Sequence, residues 1–343
     1  MNKVGVIGAG SFGTTVATLL SHNTDVLIYS RRESVVHQIN NTHEYMGVSL
    51  SERIEATSDI GHVASECNIL FPVIRSQNFR ELMKELYPYL TPEHILIHGT
   101  KGIDLTGIDE DNIANAKISR KNVHTMSEVI LQETNVRRVG CLSGPNLSSE
   151  ILDGQPTATV IASEFDEVIE IGKKLLTSNR FFVFSSHDLL GAELSGVLKN
   201  IIAIGSGILG GKNLGRNIQA ILLTRGLREM IAFGKAMGSS SRAFIGTAGI
   251  GDLIATATSP NSRNYQFGHN IGTGMSLQEA LDAVEETAEG FRTLRAAQQL
   301  AKHYDIKVPI TQMIYSTVFE GYSIERAINY LMKYPFSTDV DFL

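Results

Sequence analysis

The sequence predicts an α/β protein in which a doubly wound, mostly parallel sheet is followed by an all-α domain. Over the first half of the 343 residues, short apolar runs of strand length alternate with stretches of helical periodicity. From Asp188 onward, almost only helical periodicity remains. We therefore divide the chain into two domains, residues 1–187 and 188–343.

The chain opens on an apolar strand, Val4–Ile7, that leads through a G-x-G-x-x-G motif into a helix. Gly8 permits a tight turn, Gly10 lets a pyrophosphate approach the backbone, and Gly13 lets the helix pack closely on the strand. The free amides at the helix start attract an anion. The motif predicts a Rossmann-type dinucleotide-binding sheet; a glycine-rich turn without a ligand is the alternative.

A second apolar strand, Val26–Tyr29, is followed by Ser30, Arg31 and Arg32. An NAD-binding domain usually has an acidic residue here for the ribose 2′-hydroxyl. Two cations instead suit the 2′-phosphate of NADP, while Glu33 could still accept a ribose hydroxyl. We expect NADPH to be used at least as well as NADH. The alternative is that one or both arginines are solvated surface residues.

The other predicted strands of the first domain are residues 68–73, 95–98, 138–142, 157–162 and 181–184. Ligands of an open parallel sheet bind at the carboxyl ends of its strands. Here those ends are residues 8–13, 30–32, 73–77, 99–102 and 143–146. A helical domain following the sheet would cap this edge, so we expect the active site in a cleft between the two domains.

The helices predicted for the second domain are residues 189–209, 217–237, 280–286, 290–304, 309–320 and 323–333, before a poorly ordered tail at 335–343. The net charge of −6, without a basic run, argues against nucleic acid as a partner. We expect no signal peptide and no membrane insertion, and hence a cytoplasmic protein. Cys67 and Cys141 are expected to be buried free thiols, and the histidines show no metal-ligand spacing.

Lys199 stands inside a long apolar helical run. A buried unpaired ammonium is very costly, so this lysine must be partnered or functional. We interpret it as an acid/base group. A structural ion pair is the alternative, because Glu193 and Ser195 are near in sequence.

Lys101 lies directly after a predicted strand, in a short loop with glycines on both sides. It could hold an anionic group or the reacting oxygen there. The alternative is a solvated loop lysine. Asp252 stands among glycines and aliphatic residues and could orient Lys199, with Thr256 one helical turn further on the same face. Arg263 beside Asn264 suits a phosphate or carboxylate. Taken singly, Asp252 or Arg263 could be a helix cap or a surface cation.

Ordered motifs run nearly from end to end of the chain: G-A-G-S-F-G-T at 8–14, T-K-G at 100–102, L-S-G-P at 142–145, G-Q-P-T at 154–157, L-K-N-I-I-A at 198–203, T-R-G-L at 224–227, G-I-G-D-L at 249–253, T-S-P-N-S-R-N at 258–264 and E-G at 289–290. With these motifs the chain closely resembles the bacterial NAD(P)-dependent glycerol-3-phosphate dehydrogenases. The resemblance implies a homodimer that uses NADP or NAD to interconvert dihydroxyacetone phosphate and sn-glycerol 3-phosphate, supplying phospholipid synthesis.

The resemblance also implies residue roles. Lys199 is the expected general acid/base. The expected substrate-binding residues are Lys101, Asn146, Asn200, Asp252, Thr256, Arg263 and Asn264, the last two on the phosphate. Together with the glycine motif and the two arginines discussed above, the expected cofactor-binding residues are Gly8, Gly10, Ser11, Phe12, Gly13, Arg31, Arg32, Lys101, Arg263 and Glu289.

Four positions depart from the family pattern. Phe12 stands where tryptophan is common, and Arg32 where an acidic residue is frequent. Arg75 adds a charge to a Val-Pro-Ser-type turn, and Arg216 replaces the aspartate of a Gly-Asp-Asn motif. Two rival interpretations remain: another two-domain dehydrogenase acting on a hydroxy acid or sugar acid, and a nucleotide-sensing protein that has lost catalysis.

Overall fold

The computed structural model describes residues 3–284 and 289–334. The chain forms two compact units. The first unit is Met1–Asp104 with Thr125–Leu189, and the second is Leu105–His124 with Leu190–Leu343. The segment Leu105–His124, which the sequence assigned to the first domain, thus groups with the second unit. The domain boundary at residues 187 and 188 stays a prediction.

The first unit is built on an eight-stranded sheet. In chain order, its strands are β1 (Val4–Ile7), β2 (Val26–Tyr29), β5 (Ile54–Thr57), β6 (Ile69–Pro72), β7 (Ile95–His98), β10 (Arg138–Ser143), β11 (Thr157–Ser163) and β12 (Phe181–Ser186). The short strands β3 (Glu44–Tyr45) and β4 (Val48–Ser49) form one two-stranded sheet, and β8 (Asp104–Leu105) and β9 (Val123–His124) form another.

The spatial order of the large sheet is β12-β11-β10-β7-β6-β1-β2-β5. The six strands from β5 to β10 are parallel and follow the order of a dinucleotide-binding Rossmann sheet. β11 runs antiparallel to β10, and β12 is parallel to β11. The predicted mostly parallel, doubly wound sheet is confirmed.

Helices cover both faces of this sheet because its strands are apolar on both sides. The helices of the first unit are α1 (Ser11–Ser21), α2 (Glu33–Thr42), α3 (Ile60–Glu66), α4 (Phe79–Leu86), α5 (Met126–Glu133), α6 (Ser148–Leu152) and α7 (Asp166–Leu176). On β1, Val4 and Val6 belong to one core, together with Val16 of α1. Ile7 belongs to the opposite core, with Phe79 of α4. The sheet is therefore buried on both faces, as parallel sheets require.

The second unit is helical, as predicted. Its helices are α8 (Leu189–Gly211), α9 (Arg216–Ala236), α10 (Arg242–Ile245), α11 (Asp252–Thr258), α12 (Arg263–Thr273), α13 (Leu277–Asp282), α14 (Glu289–Tyr304), α15 (Pro309–Phe319) and α16 (Ile324–Lys333). In the described part of the chain, α8 alone is long and apolar enough to cross a membrane. However, 89% of its apolar stretch is buried inside the protein, so it is a core helix here.

Cys67 and Cys141 are buried free thiols, as predicted. Burial raises the pKa of the Cys67 thiol to about 12, so this thiol is unreactive at neutral pH. The predicted tail at residues 335–343, and residues 285–286 of one predicted helix, lie outside the described residues.

Glu229 of α9 is a buried carboxyl group that caps another helix. It accepts hydrogen bonds from the backbone amides of Ile310 (2.6 Å) and Thr311 (2.8 Å), and from the Thr311 hydroxyl (2.8 Å). These amides belong to the first turn of α15, where the helix itself offers no acceptors. Burial nevertheless raises the pKa of Glu229 from its ordinary value of 4.5 to about 7.

This raised pKa predicts a pH-dependent stability. The folded state holds the Glu229 proton more tightly than the unfolded chain. The contribution is therefore fully present below pH 4.5 and is lost as the pH rises through about 7. A pKa change of this size is equivalent to about 3 kcal/mol. The free energy of unfolding, measured with urea, should therefore fall between pH 5 and pH 8. This fall should be smaller for Glu229→Gln than for the wild type.

The matched control is Glu325→Gln, which changes an exposed glutamate in the first turn of α16. Its free energy of unfolding should fall between pH 5 and pH 8 by as much as that of the wild type. An equal fall in the wild type and in Glu229→Gln would contradict the raised pKa of Glu229.

Candidate active site

The glycine loop after β1 has the geometry that the motif predicts. Gly8 has a φ of +119°, and a Cβ there would lie 2.4 Å from the carbonyl oxygen of Val73. A Cβ on Gly13 would lie 1.8 Å from the carbonyl oxygen of Gly8, so α1 packs directly on the turn. Beside Gly10, no described atom lies within 4 Å of a Cβ position. The backbone is therefore open to a close ligand at Gly10 alone among these three glycines.

The N-terminus of α1 is available to an anion. The helix begins at Ser11, Gly10 is its N-cap without a side-chain cap, and its first turn has no acidic residue. Phe12 is half-buried, and its ring lies 3.0 Å from a Cβ position on Gly99, at the end of β7. Phe12, which stands where the family commonly has tryptophan, thus packs against the end of β7.

Arg31 and Arg32 after β2 have different partners. Arg31 forms an ion pair of 2.8 Å with Glu85, and its side chain is 63% exposed. Arg32 donates from Nη2 to the hydroxyl of Tyr45 over 2.8 Å, a neutral partner. Arg31 therefore has a carboxylate partner at the surface, whereas Arg32 is oriented by a neutral hydroxyl group.

Lys101 lies in the loop after β7. Its Nζ donates to the carbonyl oxygen of Gly144 over 2.8 Å, and its side chain is half-buried. β7 and β10 are parallel neighbours, so the loops that follow them meet at the same edge of the sheet. Lys101 is thus held in place and is not a solvated loop residue.

Asn146, in the loop after β10, has a buried oxygen without a hydrogen-bond partner among the described residues. The hydroxyl of Thr159 donates to the carbonyl of Ser143, so it can only accept from the amide nitrogen of Asn146 (3.0 Å). The hydrogen bonds of Thr159 therefore fix the amide orientation and leave Oδ1 as the unpaired atom. A buried unpaired acceptor is costly, and a bound donor would relieve that cost.

Lys199 lies in the middle of α8 and is 4% exposed. Its ammonium forms an ion pair with Asp252 of α11 and donates to the hydroxyl of Thr256 over 2.5 Å. Thr256 donates in turn to the Asp252 carboxylate over 3.2 Å. The ammonium is therefore paired with Asp252, the carboxylate expected from the sequence to orient it. This arrangement holds the ammonium together with two of the residues predicted to act with it.

Asn200, the next residue of α8, is linked to α12. The backbone amide of Gly290 donates to Oδ1 of Asn264 over 3.0 Å, and Nδ2 of Asn264 donates to Oδ1 of Asn200 over 3.0 Å. Because a backbone amide can only donate, this chain fixes both amide orientations. Asn200 and Asn264 are both buried, and Asn200 directly follows Lys199 in the sequence of α8.

Arg263 and Glu289 are the first residues of α12 and α14, directly before Asn264 and Gly290. Arg263 is exposed, and the N-cap of α12, Ser262, accepts from the amide of Tyr265. Arg75 and Arg216, two further departures from the family pattern, are exposed, and Arg216 donates to Gln219 within α9.

The predicted site residues thus form two groups. In the first unit, the glycine loop, the two arginines, Lys101 and Asn146 lie in loops at the carboxyl ends of parallel strands. In the second unit, one hydrogen-bonded group joins Lys199, Asp252 and Thr256, and a second joins Asn200, Asn264 and Gly290. Gly144, Thr159 and Gly290 were missed as partners, because their contributions are backbone atoms or a strand hydroxyl without a sequence signal. Among the described residues, no group of histidine, cysteine and carboxylate side chains could hold a metal ion.

Two family models match the chain. The N-terminal model of NAD-dependent glycerol-3-phosphate dehydrogenase matches residues 3–169, and the C-terminal model matches residues 188–329. The glycerol-3-phosphate dehydrogenase (NAD(P)+) of Acinetobacter baylyi is 37% identical, over 99% of this chain and 92% of its own length. The protein of the same name from Bacillus subtilis is 34% identical, over 97% of this chain and 94% of its own length.

Solved structures agree with these matches. The crystal structure of glycerol-3-phosphate dehydrogenase from Coxiella burnetii superposes with a TM-score of 0.85 at 28% identity, covering 97% of this chain and 99% of that one. A ketopantoate reductase from Ralstonia eutropha reaches a TM-score of 0.55 at 15% identity, which shows a shared fold only. The resemblance found in the sequence motifs is therefore confirmed, and the protein belongs to the family of NAD-dependent glycerol-3-phosphate dehydrogenases.

Proposed function

We propose that this protein reversibly reduces dihydroxyacetone phosphate to sn-glycerol 3-phosphate with NAD(P)H. As a member of its family it is an NAD(P)-dependent oxidoreductase. The observation that carries the proposal is the buried ammonium of Lys199, which Asp252 and Thr256 hold. The next residue of α8, Asn200, is bonded to Asn264 of α12. A buried, oriented proton donor and a helix start that can hold an anion are what the reduction of a small ketone phosphate requires.

The first unit supplies the cofactor site. The open backbone at Gly10 and the uncapped start of α1 fit the pyrophosphate of a dinucleotide, held by residues 8 and 10–13. The family resemblance adds Lys101 of this unit, and Arg263 and Glu289 of the second unit, as proposed cofactor contacts. When bound, NAD(P)H supplies the hydride.

A pair of glycine variants tests the cofactor site. Gly10→Ala places its methyl group in open space, so the melting temperature should stay within about 2 °C of the wild type. Its affinity for NADPH should fall by about tenfold or more, because the methyl group occupies the approach of the pyrophosphate. Fluorescence titration and thermal unfolding measure both quantities.

The matched control is Gly13→Ala, whose methyl group would overlap the Gly8 carbonyl. It should lose fold stability by about 1–3 kcal/mol. Wild-type NADPH affinity in Gly10→Ala would contradict this cofactor site.

The second unit supplies the acid and the substrate clamp. Lys199 donates a proton to the carbonyl oxygen of the substrate as that oxygen becomes a hydroxyl group, and takes it back in the reverse reaction. Asp252 stabilises the ammonium form and fixes its direction. Thr256 accepts from the lysine and donates to the carboxylate, so the three groups act as one hydrogen-bonded unit.

The substrate phosphate is assigned to the start of α12. Arg263 offers a planar, multiply donating cation, and the helix N-terminus adds a favourable dipole. Asn264 and Asn200 are oriented by the Gly290 amide, and Lys101 and Asn146 complete the proposed substrate set. Binding energy from the remote phosphate would align the reacting carbon.

Two lysine variants test the proton donor. Lys199→Arg keeps the positive charge beside Asp252 but cannot release a proton near neutral pH, and Lys199→Ala removes the group. Both should lose turnover by about a thousandfold or more in a dihydroxyacetone phosphate-dependent NADPH oxidation assay, while binding NADPH nearly normally. Lys302→Ala, on the exposed surface of α14, is the control and should keep wild-type turnover.

Substantial turnover in a folded Lys199→Arg protein would reject Lys199 as the acid. If the wild-type protein itself shows no such activity while binding NADPH, the alternative of a nucleotide-sensing protein is favoured.

Cofactor choice is assigned mainly to Arg32. Its partner is the neutral Tyr45 hydroxyl, whereas Arg31 is paired with Glu85. Arg32→Ala should therefore lower the ratio of kcat/KM for NADPH to that for NADH by about tenfold, the size of one charge-assisted contact. Arg31→Ala should lower this ratio by less than about threefold. Equal effects, or an unchanged ratio in both variants, would reject this assignment.

We further propose that the protein is a cytoplasmic homodimer that supplies glycerol 3-phosphate for phospholipid synthesis. The two buried free thiols fit a reducing compartment. The dimer and the biosynthetic role are extended from the family resemblance.

A further inference from the structure

One face of α8 carries three polar contacts to a single neighbouring segment, residues 247–257. The Ser195 hydroxyl donates to the carbonyl of Ala248 (3.0 Å), Lys199 pairs with Asp252, and the Ser206 hydroxyl donates to the carbonyl of Ala257 (2.6 Å). The three α8 residues are spaced by four and seven positions, which places them on one helix face. The proposed acid therefore lies between two serine contacts.

The segment opposite Ser195 has an unusual backbone. Residues Thr247–Gly251 form a π-helical turn, in which the amide of Asp252 bonds the carbonyl of Thr247 five residues earlier. Such turns insert an extra residue, change the direction of the side chains that follow, and are frequent at functional sites. A Cβ on Gly249 would lie 2.1 Å from the carbonyl oxygen of Phe244, so this turn is tightly packed. Asp252 is the first residue after the turn, and the turn therefore sets its direction.

Ser195 is fully buried, and its single proton has two acceptors. One is the carbonyl of Ala192 in its own helix (3.0 Å), the usual partner of a serine within a helix. The other is the carbonyl of Ala248 inside the π turn (3.0 Å). The bond within α8 would satisfy the serine by itself. The second bond ties the π turn to the helix that carries Lys199, one helical turn before that lysine.

We propose that Ser195 is a positioning residue of the reaction. Its hydroxyl fixes the π turn at Ala248 and thereby directs the carboxylate of Asp252 at the ammonium of Lys199. The inference rests on the proposed function and adds a residue to it that contacts neither substrate nor cofactor.

The test compares two serine variants of α8. Ser195→Ala should lower kcat by about tenfold, the rate equivalent of one lost hydrogen bond. The KM for dihydroxyacetone phosphate should stay within about twofold, because the phosphate is assigned to Arg263 and Asn264 on α12. Ser206→Ala is the matched control: it is equally buried on the same helix and bonds a carbonyl of the same segment beyond Asp252. Ser206 also accepts from the side-chain amide of Gln219 (2.7 Å), so Ser206→Ala should lower the melting temperature at least as much as Ser195→Ala. It should leave kcat within about twofold.

A double-mutant cycle separates positioning from a structural role. If Ser195 acts through Asp252, Ser195→Ala should have almost no further effect on kcat in an Asp252→Asn background. Hydrogen exchange of the peptide 247–256 should be faster in Ser195→Ala than in Ser206→Ala. A full tenfold loss in the Asp252→Asn background, or equal kcat values for the two serine variants, would overturn the proposal.

If Ser195→Ala does not fold, Ser195→Cys is the variant to measure, because a thiol keeps the volume of the side chain but is a weaker donor. The kcat of Ser195→Cys should lie between those of the wild type and Asp252→Asn. A wild-type kcat for Ser195→Cys would overturn the proposal. If wild type reduces dihydroxyacetone phosphate and Ser195→Ala matches it, only the positioning role fails. If wild type shows no such reduction, the proposed function fails.

Discussion

The buried ion pair of Lys199 and Asp252 is the interaction on which the second unit's proposed chemistry depends. Removing one member of such a pair leaves an uncompensated charge and typically costs about 3–5 kcal/mol. Replacing both members with apolar residues is often neutral or stabilising, so stability alone does not explain the pair. We therefore propose that the charge is kept in the middle of this apolar helix for proton transfer.

The surrounding helices present this pair in one defined geometry. Thr256 bridges the lysine and the carboxylate, and the π turn before Asp252 sets the direction from which the carboxylate approaches. The next residue of α8, Asn200, bonds Asn264 at the start of α12. The proposed proton donor and the helix start proposed to bind the phosphate are thus connected through adjacent residues of α8.

The sequence predicted the parts of the fold whose conformation depends on residues close together in the chain. The glycine loop, the strands β1, β2 and β7, and the long helix α8 follow from glycine spacing and from apolar runs. The edge strand β5 was missed because it buries Ile54 and Ala56 but exposes Glu55, so it is only half apolar. The π turn was missed because its hydrogen-bond pattern has no side-chain periodicity. Glu229 was missed because its partners lie 81 and 82 residues away.

The candidate site was predicted less completely than the fold, because most of its contacts join residues that are far apart in the sequence. The sequence placed Asp252 and Thr256 with Lys199, because spacing and burial pointed to a partner for the lysine. The sequence did not show that Arg31 and Arg32 have different partners, because Arg31 pairs with Glu85, a residue 54 positions away. Nor did it indicate that the Gly290 amide and the Thr159 hydroxyl fix the orientations of Asn264 and Asn146.

The most direct test of the central claim is rescue of Lys199→Ala by added primary amines. If an ammonium group at this position protonates the substrate oxygen, small alkylammonium ions should restore turnover, and the rescued rate should depend on the acidity of the amine. Methanol, of similar size but without a cationic acid, should not rescue. Rescue that is independent of amine acidity, or equal rescue by methanol, would contradict the account.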